Sequence, residues 1–375
     1  MNSIFNKRVN LYSLLAIAGV LVLAFFSGWR DVGIDRENYL EMHAGILSSD
    51  DIAEKFFFAK DIVFLLASDL TSYLSDDARW VFLLVCFLSV MAKYFAVKKI
   101  APQYLLPFLI AYAVFLSPGL EFAAMRGGLA IGFLMLALAY NHRFFLFSLF
   151  SLLTVASHMA LLPVVLLAYR PVNELLARHK LGYVAVAITT LLAAASLIAL
   201  FPHGLDYEDN QGSLFAYALP VATLLVSNFV FYQFDSATSA QKREPAFQFV
   251  EIAKPVIYGL IAIAFGISGL IVTASTRYLE ISWCLLLLAA LILCGKYVWS
   301  LVGLLMLIAF LSYLNVYRLT WMEILAPSVV TPDEPEVSWR QPPENSFSAP
   351  GPAPRYADMG LEFRAIRALQ DIGNA

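Results

Sequence analysis

The stretch NLYSLLAIAGVLVLAFFSGW, residues 10–29, decides the fold class. It carries no charged side chain, and at ~1.5 Å of rise per residue a helix of this length matches a hydrocarbon layer ~30 Å thick. Lys7 and Arg8 precede it, as they would in a signal peptide. The apolar run is long for a signal peptide and no convincing small-residue cleavage site follows, so a retained first span is expected. Further out, comparable runs occupy 80–97, 104–123, 126–140, 181–201, 214–234, 255–274, 279–294 and 297–317. The expectation is an all-α integral membrane protein, a polytopic bundle of about 10–12 transmembrane helices.

Composition supports that reading. Of 375 residues, 60% are hydrophobic and 14% charged, against ~45–50% and ~25% in a soluble globular chain. Mean hydropathy is +0.73. The net charge of -3 and the scattered basic residues give no nucleic-acid surface. Cys86, Cys284 and Cys294 all lie inside apolar stretches, where a thiol behaves as a small apolar side chain, so neither a disulfide framework nor a metal cluster is implied. No cofactor-binding motif is visible.

Two regions need the positive-inside bias to place them. Residues 56–74 are apolar but carry Lys60, Asp61 and Asp69, each costly in mid-bilayer. An interfacial placement keeps Lys98 and Lys99 on the same cytoplasmic side as Lys7 and Arg8. Residues 144–169 are long for one span and short for two, with His158 and Pro163 near the middle, and read as a hairpin of short helices. The hairpin returns Arg170, Arg178 and Lys180 to the cytoplasm, puts Lys242, Arg243, Lys254 and Lys296 inside, and leaves Asp206, Glu208 and Asp209 outside. Two parts result: a membrane domain, 1–317, with an outer-face loop and interfacial helix at 30–79, and a Pro-rich tail, 318–375. The tail ends in a short amphipathic helix on Met359, Phe363 and Ile366, and the span count turns it outward. No internal repeat is apparent.

This topology gathers polar residues on the outer side: Arg30, Asp31, Asp35, Arg36 and Tyr39 after the first span, Arg126 before the fourth, His158 at the hairpin tip, and Arg277 and Tyr278 in a tight turn after Ala274. Arginines on that face run against the bias. Taken singly, Arg30 is an interfacial anchor beside Trp29, Arg126 and Arg277 are helix-end charges, His158 is a polar residue at a helix break, and Asp35 and Tyr39 are loop residues. Together they suit a polyanion, because a guanidinium fork binds phosphate oxygens bidentately and keeps its charge when partly buried. Several converging arginines suit a pyrophosphate.

The segment Arg30-Asp-Val-Gly-Ile-Asp35-Arg-Glu-Asn-Tyr39 resembles the first-loop pattern of the EpsG-like membrane proteins, a group similar to the Wzy-type polymerases of O-antigen and exopolysaccharide synthesis. Arg126-Gly-Gly-Leu-Ala130 resembles that group's Arg-x-x-x-Ala helix start, Ala156-Ser-His158-Met-Ala-Leu161 its Ser-His segment, and Arg277-Tyr278 its late Arg-Tyr pair. The likeness spans roughly residues 29–288, with Gly127 where the group commonly has Gln and with no counterpart for the Pro-rich tail. It implies a GT-C-like architecture in the bacterial inner membrane and a glycosyltransferase that joins undecaprenyl-pyrophosphate-linked oligosaccharide repeats at the periplasmic face. A chain-length regulator and a flippase of the same pathway would be its partners.

In that chemistry Arg126 and Arg277 stabilise the departing pyrophosphate and Asp35 or His158 accepts the acceptor hydroxyl's proton. Arg30, Tyr39 and Tyr278 bind sugar, and neither metal nor cofactor is needed. A histidine with an ordinary pKa of about 6.5 would give an acidic limb near pH 6 to 7, and an aspartate among arginines a lower one. Two other classes fit the composition, a flippase for lipid-linked oligosaccharide and a non-catalytic partner of a synthesis complex. A transporter should carry midplane charges and repeat symmetry, whereas the ionisable residues here sit mostly at span ends.

Overall fold

A computed structural model describes residues 2–29, 36–59, 61–169, 214–234, 241, 244–268 and 272–317. All belong to one compact unit, Met1–Pro327. The expected span at 181–201, the loop charges Arg30, Asp31, Asp35, Asp206, Lys242 and Arg243, and the tail with its amphipathic helix lie outside the described residues. Within them every regular element is helical. Five helical stretches are long and apolar enough to cross a membrane, Leu11–Gly28, Arg79–Ile100, Pro102–Leu120, Pro245–Ile267 and Ser275–Cys294, and six shorter apolar helices accompany them. This is the expected all-α polytopic class, the form in which lipid-buried backbone can satisfy its own hydrogen bonds.

The chain enters through α1 (Asn2–Gly28) and then forms three short helices, α2 (Arg36–Ser48), α3 (Ile52–Ala59) and α4 (Ile62–Ser72). None approaches the ~20 residues a span requires. They share a small core in which Tyr39, Ile46, Phe64 and Leu65 pack on Val81, Phe82, Met125 and Leu129. Where the sequence reading put a loop with one interfacial helix, α2, α3 and α4 form a three-helix cap, seated on the starts of α5 (Arg79–Ile100) and α8 (Met125–Ala139).

Between α5 and α8 the expected span at 104–123 is broken into α6 (Leu105–Ala111), one π-helical turn (Tyr112–Leu116) and α7 (Ser117–Leu120). Pro118 explains the break: it has no N–H for the ladder and its ring crowds the carbonyl one turn back. The Ser117 hydroxyl donates to the Ala113 carbonyl at 2.6 Å. Among the described helices the α5–α8 packing is the most extensive. It is close because a β-carbon on Gly132 would lie 2.9 Å from the Ala92 β-carbon and the Ser89 carbonyl.

Residues 144–169 form α9 (Phe144–Ser157), a 3-10 turn (Met159–Leu161) and α10 (Leu162–Ala168). Phe147 in the first turn of α9 meets Tyr169 just beyond α10, ring centroids 5.7 Å apart, so the chain reverses at His158 as the hairpin reading expects.

The remaining helices are α11 (Leu214–Phe231), α12 (Pro245–Ile267), α13 (Val272–Cys294) and α14 (Val298–Tyr317). Here the sequence reading needs correcting. The span set at 255–274 runs from Pro245 to Ile267, with Pro255 inside it. Neighbouring helices let a membrane helix tolerate such a proline. The helix stops at Ser268, whose hydroxyl donates to the Ala264 carbonyl at 2.6 Å and lies 2.9 Å from the Ser275 hydroxyl. Arg277 and Tyr278 therefore stand on the second turn of α13, not in a turn after Ala274.

Lys98, Lys99 and Lys296 lie at the end of the bundle away from the cap. Lys98 and Lys99 close α5, with Lys99 5.9 Å from the Tyr140 ring that ends α8, and Lys296 beyond α13 pairs with Glu244 before α12 at 3.0 Å. The starts of α8 and α13, the end of α7 and the hairpin tip all lie at the opposite end.

Candidate functional site

Arg126 is the second residue of α8, at the helix end where exposed N–H groups favour anions and disfavour cations. Its guanidinium needs partners there. Nη1 donates to the Asp61 carboxylate at 2.5 Å and to the Ala59 carbonyl at 3.2 Å, and the group lies 5.5 Å from the centre of the Tyr39 ring. Asp61 occupies the N-cap position of α4 yet makes no side-chain cap. A capping carboxylate is worth ~1 kcal/mol, and here it turns instead to Arg126 and accepts the backbone N–H of Met159 at 3.4 Å. One buried carboxylate thereby ties α4, the start of α8 and the hairpin tip.

Arg277 approaches from α13. Its Nη1 donates to Glu280 one turn along at 3.2 Å and to the Gly119 carbonyl at the end of α7 at 3.4 Å. The hydroxyl of its neighbour Tyr278 donates to the Ala160 carbonyl at 2.8 Å, holding the hairpin tip against α13. His158 stands at that tip in extended backbone, outside both arms of the hairpin. Burial first, then the positive charges of Arg126 and Arg277, push its pKa down to about 3. The imidazole is therefore neutral throughout the workable pH range and, with its pKa held this low, a weak base. An acidic limb at pH 6 to 7 is not its signature here.

Of the residues singled out from the sequence, Arg126, His158, Arg277, Tyr278 and Tyr39 come together at this end. Tyr39 is not a loop residue: it lies in α2, is 4% exposed, and packs on Phe64 and Phe82 beneath Arg126. Tyr278 is likewise buried, at 7%. Arg36 begins α2, 3.5 Å from Glu37, while Arg30 and Asp35 lie outside the described residues. Sequence reasoning missed Asp61 and Glu280 as partners of the arginines. The signal for Glu280 was its spacing three residues after Arg277, and for Asp61 the cost of a carboxylate inside an apolar run.

No curated protein and no solved structure matches the chain. The model of the EpsG family matches residues 13–327, a range that contains every residue of the site described above, and the chain belongs to the EpsG family.

Proposed function

We propose that the chain joins undecaprenyl-pyrophosphate-linked oligosaccharide repeat units at the periplasmic face of the bacterial inner membrane. Membership of the EpsG family gives it a polysaccharide-polymerase type of role in a membrane. One observation carries the finer reading: Arg126, His158 and Arg277, from three distant segments, converge at the end of the bundle opposite Lys98, Lys99 and Lys296. Lysines concentrate in cytoplasmic loops, which supports an outward-facing site.

In the transfer, the acceptor hydroxyl oxygen attacks the anomeric carbon of the donor sugar. The bond from that carbon to the pyrophosphate oxygen breaks, and the electron pair leaves with undecaprenyl pyrophosphate. Arg126 and Arg277 stabilise the departing charge, in competition with Asp61 and Glu280. The hydroxyl proton passes to the His158 imidazole or to Asp35. Tyr39 and Tyr278 hold Arg126 and the hairpin tip in place, and Arg30 is left to the sugar. A flippase supplying the donor and a chain-length regulator would be partners in the same membrane.

The test is reconstitution. Purified protein in liposomes, given lipid-linked repeat units, should produce a ladder of lengthening chains. Passage of intact lipid-linked repeats across the bilayer with no ladder would sink the polymerase reading in favour of a transporter.

A further inference from the structure

Lys93 on α5 and Glu121 just after α7 are both fully buried, with Nζ 2.9 Å from Oε1. Ionisable groups inside a membrane bundle are expensive and call for a function, and the transfer chemistry uses neither. Lys93 Nζ also donates to the Ser89 hydroxyl and to the Gly128 carbonyl, each at 2.6 Å. The same Glu121 oxygen accepts from the Tyr112 hydroxyl at 2.6 Å and the Ser89 hydroxyl at 2.8 Å. The net ties α5, the π-helical turn, the turn after α7 and the first turns of α8.

Both arginines sit on what this net holds. Gly128, whose carbonyl takes the ammonium, is two residues from Arg126. Gly119, whose carbonyl takes Arg277, is two residues from Glu121. Space for the arrangement is provided by the lack of a side chain at Gly128, where a β-carbon would lie 3.2 Å from both Glu121 carboxylate oxygens. Stability alone does not demand charges here, since a well-packed apolar pair is often as stable as a buried ion pair. What the charges add is geometry: an ammonium and a carboxylate fix the broken helix against α8 in one arrangement.

We infer that Lys93 and Glu121 are positioning residues that set the separation of Arg126 and Arg277, and with it the fit of the pair to a pyrophosphate. This inference rests on the polymerase reading for its kinetic readout and needs a second, binding readout that does not. The variant to make is Lys93→Met/Glu121→Gln, which removes both charges together and leaves the Tyr112 and Ser89 hydroxyls an acceptor. Misplacement by ~1 Å can cost ~100-fold in rate. With accumulation and thermal midpoint near wild type, the double variant should lose at least about tenfold in kcat while KM for the lipid-linked donor changes less. Inorganic pyrophosphate should raise the thermal midpoint of the wild-type protein, and the double variant should lose that rise. Wild-type kcat and an unchanged pyrophosphate response in the double variant would overturn the inference. Should that variant not accumulate, Gly128→Ala decides: it presses a methyl group on the Glu121 oxygens and should lower kcat, and an unchanged kcat overturns the inference. A wild-type protein that responds to pyrophosphate but forms no ladder refutes the polymerase reading, and loss of that response in the double variant still supports the positioning role.

Discussion

Asp61→Asn is the change that most directly tests how Arg126 is held. The substitution preserves shape and leaves a carbonyl to accept the Met159 N–H, so what it removes is the negative charge 2.5 Å from Arg126. Breaking a buried pair at one end costs ~3–5 kcal/mol, and losing an exposed pair ~0–1 kcal/mol. Asp61 is 4% and Arg126 20% exposed in their side chains, so the pair lies between these limits, and about 2 kcal/mol is expected. Arg126→Gln should cost about as much, because it strands the carboxylate instead. In Asp61→Asn/Arg126→Gln neither charge is stranded, and the double variant should lose about as much as one single variant, giving a coupling of about 2 kcal/mol. At ~1–2 °C per kcal/mol for a chain of 375 residues this is ~2–4 °C in thermal midpoint for each single variant, measured in nanodiscs. Single-variant losses that simply add, with a coupling under about 0.5 kcal/mol, would show that Asp61 does not hold Arg126 and remove the link between α4 and the start of α8.

Three further expectations follow from the same geometry. Arg126→Lys and Arg277→Lys keep the charge but lose the planar fork, and with ~1.5–3 kcal/mol at stake in each charge-assisted bond, polymerisation rates should fall ~10–100-fold at normal accumulation; normal polymer length in both variants removes the pair from the mechanism. His158 and the buried His43 both have lowered pKa values, with burial the first cause in each, so below about pH 6.5 the unfolded chain takes up protons that the folded one refuses. Stability should be complete above that pH and fall on acidification. The fall should be shallower in His43→Gln/His158→Gln, and an equally steep fall there would reject the assignment. In a background with Cys86, Cys284 and Cys294 replaced, Glu37→Cys should react in intact cells with a membrane-impermeant thiol reagent added to the periplasmic side, while Arg143→Cys is protected; the opposite pattern inverts the topology.

Much of this was legible in the sequence. Residues 10–29 and the runs like them had to be helices crossing lipid, because length and apolarity set that outcome without reference to neighbours. The chain reversal at His158 was readable for a similar reason: 26 residues, from 144 to 169, with a histidine and a proline near the middle, fit neither one span nor two. Arg126, His158 and Arg277 were recognisable as unusual polar residues at span ends. What the sequence could not supply was their partners. The start of α12 at Pro245, ahead of the proline read as its boundary, depends on how α11 and α13 pack around it, and it moves Arg277 from a turn onto a helix. Asp61 belongs with Arg126 across 65 positions, and Lys93 with Glu121 across 28. Such pairs have no local signature, because a buried charge is tolerated only where the fold brings its counterpart within hydrogen-bond reach.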